Sequence, residues 1–224
     1  MSEYTLRVNR VHYPVTALGP GKRLGIWVQG CTLECPGCIA HDTWSAGNGV
    51  RVNVEDLVRV WREVLDDGVD GLTVSGGEPL QQADSVAALL RGARLAAPGR
   101  AVDLLLYTGY EEDELTASQK EAAQLADAVV VGRYKIKEPT ELIWRGSANQ
   151  RFVLNSALGD ERYSPFTDHR PERTPLQFRM EGRHFWLIGI PRSGDLVRLE
   201  RSLAANGIEL RYASWRARGD ADKR

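Results

Sequence analysis

Cysteine is scarce in this sequence: the 224 residues include three cysteines, an odd number confined to one short stretch. A disulfide framework is therefore not expected. No apolar run approaches the length of a membrane span, and the first residues, MSEYTLRVNRVHY, contain no apolar segment of the kind found in secretory signals. Free thiols without such signals lead us to expect a cytoplasmic protein with no membrane partner.

An excess of charge of one sign is also lacking. The net charge is −1, so nothing in the composition indicates binding to nucleic acid. The charge is unevenly distributed, because residues 170–224 hold 12 Lys and Arg against 7 Asp and Glu, a net of +5 that leaves −6 for residues 1–169. This asymmetry indicates a separate C-terminal unit, which either meets an acidic partner or presents an arginine-rich surface to solvent.

The three cysteines, Cys31, Cys35 and Cys38, have the spacing C-x3-C-x2-C within the segment GCTLECPGCIAHDTW. Three thiolates on one loop can hold three irons of a [4Fe–4S] cube and leave the fourth iron open for chemistry. Two other interpretations fit the same residues. One is a structural Cys3His zinc site completed by His41, and the other is a set of buried, inert thiols.

Short apolar strands alternate with amphipathic helices through the first part of the chain. Strands are predicted over 24–29, 72–74, 101–107 and 128–131, and helices over 53–66, 83–97 and 111–125. This alternation indicates βα units around a parallel sheet. The units are too few for a closed eight-fold barrel, so the predicted fold class is α/β, in the form of a partial (β/α) barrel.

Each predicted strand runs into a motif at its carboxyl end, where parallel sheets collect their ligand-binding residues. The cysteine loop follows the first strand, SGGEP the second, TGY the third and GRY the fourth. Gly76 and Gly77 would let the backbone approach a ligand closely, and Glu78 adds a carboxylate at the same edge.

The cysteine spacing followed by SGGEP resembles the radical S-adenosylmethionine (SAM) superfamily. The run PVTALGPGKRLGIWVQGC, followed by CPGC, TW, SGGEPL, YTGY and LIWRGSANQ, resembles more closely the activating enzyme of anaerobic (class III) ribonucleotide reductase, a glycyl-radical-enzyme activase. This resemblance covers about residues 12–155. Gly37 departs from the aromatic residue usual before the third cysteine of the superfamily, whereas a Pro-Gly pair there is typical of the activase subgroup.

The resemblance implies one [4Fe–4S] cluster ligated by the three cysteines, with SAM on the open iron. The residues that it assigns to SAM are Gly76, Gly77 and Glu78, with Gly37 and Thr108 as weaker candidates for contacts to the nucleoside. Four further residues match a family signature to which the sequence assigns no role: Arg145, Ser147, Asn149 and Gln150.

The chemistry implied by the resemblance is reductive cleavage of SAM to methionine and a 5′-deoxyadenosyl radical, which abstracts hydrogen from a substrate. In the activase family that substrate is a backbone glycine of a partner protein. The expected partners are therefore a glycyl radical enzyme and a one-electron reductant such as flavodoxin or ferredoxin. Two alternatives are a radical SAM enzyme that modifies a peptide or small molecule, and a non-catalytic iron–sulfur or zinc module that binds a partner.

The chain is predicted to divide into a radical SAM core over residues 1–155, a polar, proline-containing linker over 156–174 and a small subdomain over 175–224. The subdomain is predicted as an α+β extension of the form ββαβ. It would contain a hairpin that turns at residues 181–183, a helix over about 194–206 and a last strand over 208–212. Because it lies outside the resemblance, it would dock a partner, cover the open side of the barrel or only stabilise the fold.

Overall fold

The computed structural model describes residues 4–182 and 184–216 of the chain. A seven-stranded sheet forms its centre, with the order β3-β1-β2-β4-β5-β6-β7. The strands are β1 (Thr5–Val15), β2 (Arg23–Val28), β3 (Val50–Asn53), β4 (Gly71–Gly76), β5 (Asp103–Tyr107), β6 (Ala128–Val131) and β7 (Arg151–Leu154). Strands β2, β4, β5 and β6 run parallel to one another, whereas β1 pairs antiparallel with β2 and with β3, and β7 pairs antiparallel with β6. The predicted α/β class with a parallel sheet is therefore confirmed.

Three helices connect strands of this sheet: α1 (Val54–Asp66), α2 (Ala83–Ala96) and α3 (Ala117–Gln124). Helix α1 buries its apolar residues at helical spacing, namely Val54, Leu57, Val58, Trp61, Val64 and Leu65. Helix α3 is shorter than the predicted range 111–125. It begins after Thr116, whose side chain forms a reciprocal capping box with Gln119, and this cap fixes the helix start.

The segment 156–174, predicted as a linker, contains helix α4 (Ala157–Tyr163) and a short 3-10 helix (Ser164–Phe166). Tyr163 is fully buried, and its hydroxyl donates a hydrogen bond to the buried carboxylate of Asp103 in β5. Arg162 also reaches Asp103, at 3.1 Å. These contacts fasten the segment to the sheet, which its polar composition did not indicate.

Beyond this segment lie an antiparallel hairpin, β8 (Leu176–Glu181) and β9 (His184–Gly189), and helix α5 (Asp195–Ala205). The predicted ββαβ order is wrong in its last element, because residues 208–212 form no strand. The amide of Ile208 donates instead to the carbonyl of Leu203 and closes the end of α5. The predicted turn at residue 183 and the end of the predicted subdomain, 217–224, lie outside the described residues.

Within the described ranges, no helix is long and apolar enough to cross a membrane. The carboxyl ends of β2, β4, β5 and β6 lie at one edge of the sheet, and the predicted motifs follow these strand ends.

Candidate functional site

The cysteine loop and the SGGEP segment begin side by side. Val28, at the end of β2, pairs with Gly76, at the end of β4. Beyond this pair, the amide of Gly77 donates to the carbonyl of Val28 at 2.8 Å, and the amide of Glu78 donates to the carbonyl of Gly30 at 2.8 Å. The backbone of residues 76–78 is therefore bonded directly to the start of the cysteine loop.

The two glycines of SGGEP are required by this close approach. Gly76 has φ +108°, in the region that favours glycine, and a Cβ there would lie 2.5 Å from the amide nitrogen of Val28. A Cβ on Gly77 would lie 2.3 Å from the carbonyl oxygen of Gly30. A side chain at Gly76 would displace the end of β2, and one at Gly77 would displace the start of the cysteine loop. The glycine pair therefore sets how closely the two segments approach.

The carboxylate of Glu78 is buried and ties the ends of β4 and β5 together. Its Oε1 accepts hydrogen bonds from the Leu80 amide at 2.9 Å and the Thr108 hydroxyl at 2.8 Å, and its Oε2 accepts one from the Gly109 amide at 2.7 Å. Burial raises the pKa of Glu78 to about 7, and these three donors oppose the rise. Glu78 and Thr108 are thus brought together as predicted from their strand ends, but their side chains are engaged with each other.

The three cysteine sulfurs are half-buried and lie near backbone amide donors. Burial raises the pKa of the Cys31 thiol, and hydrogen bonds from the amides of Leu33 and Glu34 oppose that rise. Burial also raises the pKa of the Cys35 thiol, and a hydrogen bond from the Tyr134 amide opposes that rise. The amide of Ala40 donates to Cys38 Sγ at 3.4 Å. Amide donors around sulfur stabilise thiolates and the metal clusters bound to them.

The predicted alternative to an iron–sulfur cluster is a zinc site in which His41 would be the fourth ligand. Among residues 4–182 and 184–216, no group of three or more His, Cys, Asp and Glu side chains is already arranged to hold a metal ion. His41 packs on Trp44, with ring centroids 4.5 Å apart, and its Nδ1 lies 3.3 Å from the carbonyl oxygen of Arg216. The described site therefore consists of three thiols on one loop, and one ring nitrogen of His41 faces a backbone carbonyl.

The loop after β6 covers the middle of the cysteine loop. Gly37 has φ +78°, and a Cβ there would lie 2.5 Å from Cδ1 of Ile136. The amide of Cys38 donates to the carbonyl of Cys35 at 3.1 Å, which closes a turn around Gly37. The structure therefore explains Gly37 by a tight turn beneath the Ile136 side chain, next to the Tyr134 amide that reaches Cys35.

Three residues of the RGSANQ segment hold this covering loop. Asn149 Nδ2 donates to the carbonyl of Arg133 at 3.0 Å, and Gln150 Nε2 donates to the carbonyl of Gly132 at 2.9 Å. The hydroxyl of Ser147 accepts from the Lys135 amide at 3.0 Å. These side chains fix the segment on both sides of Tyr134, a positioning role that the sequence did not reveal.

Arg145, the first residue of the signature, contacts the segment that follows α4. Its guanidinium donates to the carbonyls of Phe166 (3.2 Å) and Thr167, so it holds the 3-10 helix after α4. Arg133 was noted in the sequence only as part of the GRY motif, with no role assigned to it. Burial raises the pKa of the Cys35 thiol, and the charge of Arg133 opposes part of that rise. The Nη1 atom of Arg133 donates to both carboxylate oxygens of Glu114, at 2.7 Å each.

Comparison with known proteins agrees with this geometry. A family model described as a 4Fe-4S single cluster domain matches residues 17–153. The anaerobic ribonucleoside-triphosphate reductase-activating proteins of Salmonella typhimurium and Escherichia coli are each 36% identical over 146 residues, which is 62% of this chain and 93% of theirs. The protein of that name from Enterobacteria phage T4 is 32% identical over 140 residues, 62% of this chain and 87% of its own. The crystal structure of QueE from Escherichia coli aligns over 92% of each chain with 15% identity and a TM-score of 0.39, too low to support an argument.

The fold and the three-cysteine loop define an iron–sulfur protein with an α/β core. The chain belongs to the 4Fe-4S single cluster domain family. It is a radical SAM enzyme of the activating type, and the predicted cofactors, a [4Fe–4S] cluster and SAM, are confirmed. The family model ends at residue 153, so α4, the hairpin and α5 lie beyond it.

Proposed function

We propose that the protein activates a partner enzyme by converting one of its backbone glycines to a glycyl radical. The observation that carries the proposal is the junction of the three-thiol loop with residues 76–78 at the end of β4. The proteins that share this core at 36% identity are named as activating proteins of an anaerobic ribonucleoside-triphosphate reductase, and such a reductase is the partner that we propose. An α/β partial barrel of the radical SAM type would support this site.

Cys31, Cys35 and Cys38 would hold the cluster, and the backbone of Gly76 and Gly77 would face SAM. Both oxygens of the Glu78 carboxylate already accept hydrogen bonds from protein groups. We therefore assign to the Glu78 side chain the task of fixing the edge where SAM binds, and to Thr108 that of holding Glu78. Gly37 would contribute to the nucleoside contacts through its backbone.

When bound, the cluster and SAM supply a 5′-deoxyadenosyl radical that abstracts hydrogen from the partner's glycine. The protein's own residues must keep the cysteine loop rigid and the buried edge dry. The amides of Tyr134 and Ala40 provide fixed dipoles toward the sulfurs of Cys35 and Cys38. We further propose a one-electron reductant such as flavodoxin or ferredoxin as the second partner, and a reducing, cytoplasmic compartment that keeps the thiols free.

Anaerobic reconstitution with iron and sulfide, followed by EPR of the dithionite-reduced protein, tests the cluster assignment. We expect a [4Fe–4S]+ signal that shifts when SAM is added, and we expect Cys35→Ala to abolish it. His41→Gln is the matched control, because a Cys3His zinc site would need the histidine and the cluster does not. If Cys35→Ala keeps the signal, or His41→Gln loses it, the ligand assignment is wrong.

The substrate is tested separately, by incubating the reduced, SAM-loaded protein with an anaerobic ribonucleotide reductase. The expected result is a glycyl radical EPR signal on the reductase, together with release of 5′-deoxyadenosine. Release of 5′-deoxyadenosine without a radical on the reductase would contradict the proposed partner and leave the radical SAM core intact.

A further inference from the structure

The described end of the chain returns to the cysteine loop. Residues 213–216, which we call the strap, lie against residues 39–41, immediately after Cys38. We propose that the strap holds the Cys38 end of the loop in place and thereby maintains the hydrogen bond that the Ala40 amide donates to the Cys38 sulfur. The proposal rests on Cys38 being a cluster ligand, but it is independent of the substrate.

The strap bonds the chain on both sides of Ala40. The Ser214 hydroxyl donates to the carbonyl of Ile39 at 2.8 Å, and the amide of His41 donates to the carbonyl of Ser214 at 3.4 Å. Between these two contacts, the Ala40 amide donates to Cys38 Sγ at 3.4 Å. The Ile39 carbonyl and the Ala40 amide belong to the same peptide group, so the strap bonds directly to the group that carries the sulfur's donor and to the next peptide along the chain.

Helix α5 anchors the strap through one carboxylate. Glu200 accepts a hydrogen bond from the indole of Trp215 at 2.7 Å and forms an ion pair with Arg216 at 3.1 Å. Arg216 also donates to the carbonyl of Leu210 at 2.9 Å, which closes the turn between α5 and the strap. The strap is therefore held by a helix and does not depend only on its own contacts with the cysteine loop.

The hairpin that precedes α5 is attached to the sheet that carries the cysteine loop. Trp186 in β9 packs edge-on against Trp27 in β2, with centroids 5.2 Å apart, and Gln177 in β8 donates to the carbonyl of Pro14 at 2.8 Å. Trp27 lies two residues before Gln29, where the chain enters the loop. The hairpin is thus attached to β1 and to β2, the strand that leads into the cysteine loop, and the strap returns to the loop itself.

A held amide donor matters to the cluster because it stabilises negative charge on the ligand sulfur. Hydrogen bonds to sulfur and exclusion of solvent are two of the means by which proteins set the reduction potential of iron–sulfur clusters. A loosened strap should leave the Cys38 sulfur with a less ordered hydrogen-bond donor. The reduced cluster would then be harder to form, and iron would be lost more readily.

The test compares Ser214→Ala and Glu200→Gln with two exposed controls, Ser202→Ala in α5 and Glu209→Gln after it. In the reconstituted full-length protein, we expect both strap variants to shift the cluster potential to more negative values. We also expect them to lose iron to a chelator about fivefold faster, which corresponds to the loss of about one hydrogen bond. The controls should match the unmodified protein in both measurements.

Hydrogen exchange of the cluster-free protein supplies a readout that does not depend on the cofactor. The amides of Ala40 and His41 should exchange faster in the strap variants, while the amides of β4 and β5 stay unchanged. If potential, iron loss and loop exchange all match the controls, the strap does not support the loop. If every sheet amide exchanges faster to the same degree, the effect is global destabilisation and the proposal is also wrong. Failure of the unmodified protein to form a cluster would instead contradict the proposed function, and the exchange measurement would still test the strap.

Discussion

Replacing Tyr163 with Phe should destabilise the whole sheet, because the Tyr163 hydroxyl is part of a buried ionic network. Arg23 and Asp103 are fully buried, with 2.6 Å between the guanidinium and the carboxylate, and Tyr163 donates to that same carboxylate. The Tyr163 ring also packs on Trp144 and Phe152, at centroid distances of 6.1 and 5.6 Å. Phe preserves these ring contacts and removes only the hydroxyl.

A hydrogen bond to a charged group contributes about 1.5–3 kcal/mol, so we expect the free energy of unfolding to fall by about 2 kcal/mol. Asp103→Asn is a stronger change at the same site, because it leaves the buried charge of Arg23 uncompensated at a cost of about 3–5 kcal/mol. Asp103→Asn should therefore lower the free energy of unfolding more than Tyr163→Phe does. This order follows from the hydrogen bonds and the ion pair and does not depend on the absolute values.

Urea unfolding of the cluster-free protein, followed by circular dichroism, measures both changes. Tyr212→Phe is the matched control, because Tyr212 is 83% exposed and its change should stay within about 0.5 kcal/mol. If Tyr163→Phe costs no more than Tyr212→Phe, helix α4 is not attached to the sheet as described. The segment 156–174 would then behave as the linker that its composition predicts.

Three further variants test the site. Gly77→Ala places a Cβ 2.3 Å from the carbonyl oxygen of Gly30 and should lower stability by about 1–3 kcal/mol in urea unfolding. Gly47→Ala, whose nearest contact is 3.7 Å away, should change it little, and equal effects would contradict the steric argument. Gln150→Leu leaves two amides and one carbonyl without partners and should lower the thermal midpoint by an amount equivalent to about 1–3 kcal/mol; an unchanged midpoint would refute its bracing role. The folded-state pKa of Glu78, about 7, exceeds its ordinary value of 4.5, so its stabilising contribution is fully present below pH 4.5 and is lost as the pH rises through 7. The part of the free energy of unfolding that is lost with rising pH amounts to about 3 kcal/mol. Urea unfolding across this pH range should show the loss in the unmodified protein and not in Glu78→Gln, whose side chain does not titrate.

Most helices and strands were predicted from the sequence, because each depends on the spacing of apolar residues that lie close together in the chain. The spacing of buried residues in α1 identified that helix, and short apolar runs identified the four parallel strands. Strand β3 was missed, because the alternation in its four residues, VRVN, is too short to distinguish an edge strand from a loop. A final strand was predicted over 208–212, but a strand needs a partner edge, and the chain there closes α5 instead.

For the site, the sequence identified the residue types and the sheet edge but not the contacts that give each residue its task. The placement of Glu78 and Thr108 at neighbouring strand ends followed from parallel-sheet geometry. Their hydrogen bond to each other did not, because composition does not reveal which partners a buried carboxylate takes. The RGSANQ signature was recognised in the sequence, but the sequence assigned no role to it. Its function in holding residues 132–135 depends on side-chain contacts across 12 to 18 positions of the chain.

The cysteine loop has little regular structure, so its conformation must be imposed by its neighbours. Ordering the backbone of a residue costs about 1–2 kcal/mol, and a loop that spans three ligands cannot meet that cost with a few internal bonds. Residues 76–78 hold its start, Tyr134 and Ile136 its middle and Ser214 its end. The first two supports come from within the family core, and the third comes from the residues beyond it. A chain that ended at the family boundary would therefore need another means of holding the segment after Cys38. The residues beyond residue 153 thus have a physical role close to the cluster, and this role requires no change in the cluster ligands.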